Sequence, residues 1–79
     1  MFAKKYITLP NTGYVFKKED VLSVTPVFQS GEKFHFDVIS INGDFISIRS
    51  YLEKPSERRD ALEEDNNFIR KKLRQKGFY

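Results

Sequence analysis

A chain of 79 residues buries only about 60% of the surface its unfolded form exposes, enough for one core and not two, so residues 1–79 read as a single domain with no cofactor domain beside it. The absence of cysteine excludes a disulfide framework, a thiolate nucleophile, an iron–sulfur cluster and any Cys-type zinc site. With 39% hydrophobic and 32% charged residues the chain is too apolar for disorder and too polar for a membrane span, and no apolar segment follows the basic start Met1-Phe2-Ala3-Lys4-Lys5, so we expect a cytoplasmic protein without membrane contact.

Lys5 to Leu9 is rich in β-branched and aromatic residues and runs into Pro10-Asn11-Thr12-Gly13, where Pro fixes φ and Gly admits a positive one. Tyr14-Val15-Phe16 reads as a short second strand, and Lys17 to Asp20 as a polar break. Val21 to Phe28 reads as one strand with residues 22, 24 and 28 on its inner side, lying at an edge or bulging at Pro26 because proline cannot donate to a ladder. Gln29 to Glu32 is the next turn.

Lys33–Ile41 and Phe45–Leu52 flank Asn42-Gly43, the strongest hairpin signal in the chain. A two-residue turn there would set Phe36 against Arg49 and Asp37 against Ile48, mixing apolar and charged groups on both faces. A three-residue loop, Ile41-Asn42-Gly43, instead pairs Val38 with Ile46 and Phe36 with Ile48 on one face, and Asp37 with Ser47 and His35 with Arg49 on the other. This register leaves Ile39 opposite Phe45, away from the main core.

From Pro55-Ser56 the spacing becomes helical, with Ser56 as N-cap or Pro55 at the first helical position and Gly77 as the stop. Leu62, Ile69 and Leu73 form the core stripe, and Phe68 sits to one side, reaching into the core or facing a partner. A continuous helix would be about 30 Å long and would overhang the sheet, whereas the poor helix formers Asp65-Asn66-Asn67 offer a break. The expected fold class is α+β: an antiparallel sheet of four to five strands (residues 1–52) followed by one long C-terminal helix (residues 53–79) packed on it.

Catalytic chemistry finds little support. The single histidine, His35, has Asp37 two residues on and therefore on the same face, but no third metal ligand stands at a motif spacing. No glycine-rich phosphate loop or nucleophile elbow is present, so we expect a non-enzymatic chain with no cofactor and no metal.

The last twelve residues hold Arg70, Lys71, Lys72, Arg74 and Lys76 and no acid. That is +5 within a total of +3, so the rest carries −2. Acids at 57, 60, 63, 64 and 65 precede this run, an order that suits the helix dipole. The like charges four residues apart (Arg70 and Arg74, Lys72 and Lys76) repel, and an acidic protein surface or a polyanion would relieve them. Phe68, Leu73, Phe78 and Tyr79 supply large apolar groups on or beyond the helix, and Ile39 with Phe45 forms a second apolar spot. The expectation is a small protein-binding module, an adaptor, regulator or inhibitor of a larger protein that also associates as a homodimer through open sheet edges. The alternative is nucleic-acid binding by the basic helix end.

Overall fold

The computed structural model describes residues 6–74. Six short strands precede one helix: β1 (Tyr6–Thr8), β2 (Val15–Lys17), a 3₁₀ turn at Lys18–Asp20, β3 (Val21–Val24), β4 (Phe28–Ser30), β5 (Lys33–Ser40), β6 (Phe45–Ile48) and α1 (Pro55–Arg74). All pairings are antiparallel, and the strands form two sheets, the β1–β2 hairpin and a four-stranded sheet built on β5. The class is α+β with the helix packed on the sheet, as the order of elements predicts.

The β5–β6 hairpin takes the three-residue loop. Phe36 faces Ile48, Asp37 faces Ser47, Val38 faces Ile46 and Ile39 faces Phe45. The Ser40 N–H donates to the Asp44 carbonyl at 2.9 Å, and Gly43 closes the loop with φ +91°, the left-handed position that favours glycine. The paired partner of His35, however, is Phe28 of β4, not Arg49, because β6 ends at Ile48.

Residues 21–28 depart from the single strand expected. A register shift between Val21 and Ser23 leaves Leu22 exposed and turns both Val21 and Val24 toward the core. A further residue is accommodated between Val24, which faces Val38, and Phe28, which faces His35. Four steps on one strand then match three on the other. Each extra residue reverses which face the side chains take, so Phe28 lies outside with His35 rather than inside with Val24. The shift lies at Leu22 and over residues 25–27, and Pro26 falls in the gap between β3 and β4.

The helix is unbroken from Pro55 to Arg74. The Arg58 N–H donates to the Lys54 carbonyl, which makes Pro55 the first helical residue, where its missing donor costs nothing. Gly77, the expected stop, lies outside the described residues. Leu62, Ile69 and Leu73 are fully buried with Ile7, Leu9, Phe36, Val38 and Ile48. An unbroken helix is expected to overhang the sheet; it is buried as far as Leu73, which shares one cluster with Ile7 and Leu9 of the first hairpin. Residues 55–60, at its N-terminal end, are the ones with no buried member.

The suspected breakers Asp65 and Asn66 are buried and dock the helix onto two loops. One Asp65 carboxylate oxygen accepts from the Asn11 N–H (3.0 Å) and Nδ2 (2.9 Å), and the other from the Thr12 N–H and Oγ1 (both 2.8 Å). Asn66 Nδ2 donates to the Thr25 carbonyl at 2.8 Å. These tertiary bonds outweigh a propensity cost of a few tenths of a kcal/mol per residue.

Candidate interaction surfaces

The basic helix end is described only in part. Leu73 is 0% exposed, so it belongs to the core and is not a surface anchor; its place on the stripe with Leu62 and Ile69 puts it against the sheet. Phe68 is half-buried and packs against the same core, while the Lys72 ammonium stands 5.3 Å from its ring centroid, within cation–π range. Arg70 Nε donates to Asn66 Oδ1 at 2.8 Å, fixing that guanidinium on the helix surface, and Lys71 is exposed. Phe78, Tyr79 and Lys76, with the Arg74 side chain, lie outside the described residues, so the remaining members of the expected patch have no structural account.

Ile39 is half-buried opposite the exposed Phe45, and other exposed apolar side chains lie near Phe45 in the sequence. Among the described residues, five of the nine exposed large apolar side chains fall within residues 41–52: Ile41, Phe45 (64% exposed), Ile46, Tyr51 (85%) and Leu52. These residues form the hairpin loop, β6 and the segment after it. β6 pairs only with β5 among the described strands, so its other edge has no partner among the described residues. The direction of its main-chain groups follows from alternation. The bond from Ser40 N–H to the Asp44 carbonyl aims even-numbered residues at β5, leaving the N–H and C=O of Phe45 and Ser47 directed outward.

Behind the end of β6 is an open groove of about 510 Å³ lined by Lys33, Phe34, Arg49, Ser50, Tyr51, Leu52 and Arg58. Arg58 holds it in shape: Nη1 donates to the carbonyls of Leu52 (2.6 Å) and Glu53 (3.0 Å), and Nη2 to that of Glu32 (3.2 Å). Among the described residues, the ion pairs are Lys17 with Glu19, His35 with Asp37, and Arg59 with Asp60. None involves the groove's three cations. The sequence marked the basic helix end but not this cluster, whose members come from β5, the chain after β6 and the helix start.

His35 and Asp37 do meet, with Nε2 4.0 Å from Oδ1, and Ser47 Oγ donates to the same Asp37 oxygen at 2.8 Å. The order is not that of an activated nucleophile, in which the hydroxyl bonds the imidazole and the imidazole the carboxylate. Here the serine proton is committed to Asp37, and the His35 ring lies 5.5 Å from the Phe28 ring. No group of three His, Asp or Glu residues suited to holding a metal ion occurs among the described residues, and no described helix is long and apolar enough to cross a membrane. No protein-family model matches the chain, and no curated protein or solved structure is significantly similar to it.

Proposed function

We propose that this chain is a small non-enzymatic protein-binding module, an adaptor, regulator or inhibitor of a larger protein, acting through the β6 edge and the apolar groups around it. The observation that carries this reading is the concentration of exposed apolar side chains at 41–52 beside an unpaired strand edge. Such an edge offers main-chain hydrogen bonds for affinity, and flanking side chains supply specificity. Ile39 and Phe45 extend the contact onto the sheet face away from the helix, and Arg70 and Lys71 add positive charge that steers an acidic partner.

A second reading, nucleic-acid binding, draws on the cationic groove beside Tyr51 as well as on Arg70, Lys71 and Lys72, since clustered cations and an exposed aromatic ring suit single strands. Affinity capture of the tagged chain from host lysate, with and without nuclease, separates the two. The expected result is a stoichiometric protein partner retained after nuclease and lost with Phe45→Asp. Recovery that vanishes with nuclease overturns the protein-binding reading in favour of the second.

A further inference from the structure

The open edge of β6 is complementary to itself. In an antiparallel pair, residues directly opposite share a face; Phe45 and Ser47 are the odd-numbered β6 positions whose main-chain groups point outward, and the pair extends the strand by one residue to Arg49, which follows the same alternation. Centring the pair on Ser47 sets Ser47 against Ser47, Phe45 against Arg49, Ile46 against Ile48 and Asp44 against Ser50 of the other copy. Every outward N–H and C=O from 45 to 49 then has a partner. No like charges oppose one another, and Ile46, which is 38% exposed although its cross-strand partner Val38 is 1% exposed, lies at the seam between the two copies on the helix side.

The groove supplies an independent argument. Ser50 lines it beside Lys33, Arg49 and Arg58, and the register brings Asp44 of the other copy to its mouth. Asp44 forms no ion pair with a described residue, so a free carboxylate meets three unneutralised cations. In the same register Ile41 of the other copy, three residues before Asp44, comes near Tyr51 and Leu52, and all three are exposed in the single chain.

We propose that a second copy of this chain is the partner of the β6 edge, pairing antiparallel about a two-fold axis at Ser47, with each hairpin tip seated against the other copy's cationic groove. The two four-stranded sheets become one continuous sheet carrying both helices on the same side. This rests on the protein-binding reading and names its partner.

The test is light scattering of the full chain from micromolar to millimolar concentration, beside two variants. Ser47→Pro removes an outward N–H and the hydroxyl bond to Asp37 but keeps the main-chain bonds to β5; circular dichroism checks that it folds. Ser47→Cys introduces the sole cysteine of the chain at the axis, with Gln29→Cys on exposed β4 as control. The expected results are twice the 9.3 kDa chain mass, a return to the single-chain mass with Ser47→Pro, and oxidative cross-linking much faster at Ser47→Cys than at Gln29→Cys. A single-chain mass at every concentration overturns the second copy as partner and leaves the protein-binding reading to the capture experiment. A dimer that cross-links no faster at 47 than at 29 overturns the edge assignment. If Ser47→Pro does not fold, the cross-linking rates decide.

Discussion

Asp65 shows what a single residue contributes here. Its carboxylate is fully buried in the middle of a helix and accepts four hydrogen bonds from Asn11 and Thr12, and no buried side-chain polar atom among the described residues lacks a partner. Burying a charge without compensation is costly; four donors supply the compensation and fix the loop of the first hairpin at one point on the helix. Asp65→Asn replaces one accepting oxygen with an NH₂ group that faces two donors, and it should destabilise the fold by about 1.5–3 kcal/mol, the scale for hydrogen bonds to a charged group. A urea titration checks this, and an unchanged midpoint would show that the clasp contributes nothing.

At the scale of elements, the β5–β6 hairpin is positioned by its loop. Gly43 has φ +91° and nothing within 4 Å of where a Cβ would stand, so its requirement is conformational and not steric. Gly43→Ala should cost about 1–2 kcal/mol, and Gly43→Asn less, because asparagine tolerates the left-handed region. Equal melting temperatures for the two variants would refute that ranking. The consequence reaches the proposed interface, since this loop sets which β6 residues point outward. The helix teaches a complementary lesson: Asp65-Asn66-Asn67 are poor helix formers, yet the helix runs through them because Asp65 and Asn66 are bonded to loops of the β-rich part and Asn66 also accepts from Arg70.

Across the whole molecule, one core joins both sheets to the helix, and it assigns Leu73 and Phe68 different roles. Leu73→Ala removes a fully buried side chain and should cost about 2–5 kcal/mol, with Phe68→Ala, which is half-buried, costing less. Thermal melts rank them, and a Leu73→Ala variant as stable as the original chain would return that residue to the surface.

The sequence alone determined the features that depend on local chemistry and short periods. Asn42-Gly43 with alternating residues on either side specified the β5–β6 register, since the three-residue loop, unlike the two-residue turn, keeps Phe36, Val38, Ile46 and Ile48 on one face. The spacing of Leu62, Ile69 and Leu73 marked the stripe of the helix, and Pro55-Ser56 the region of its start, with the structure deciding for Pro55 as the first helical residue. What depended on distant residues was decided only by the tertiary structure. The extra residues near Leu22 and Pro26 reverse the face of Phe28, and strand alternation alone does not reveal where a ladder slips. Asp65 and Asn66 conflicted with helix propensity, which signalled something unusual, but their partners Asn11, Thr12 and Thr25 lie 41 to 54 residues away in the chain. The groove's cations come together for the same reason. Lys33, Arg49 and Arg58 are far apart in sequence, and only the packing of the helix start against the end of the β5–β6 hairpin makes them neighbours.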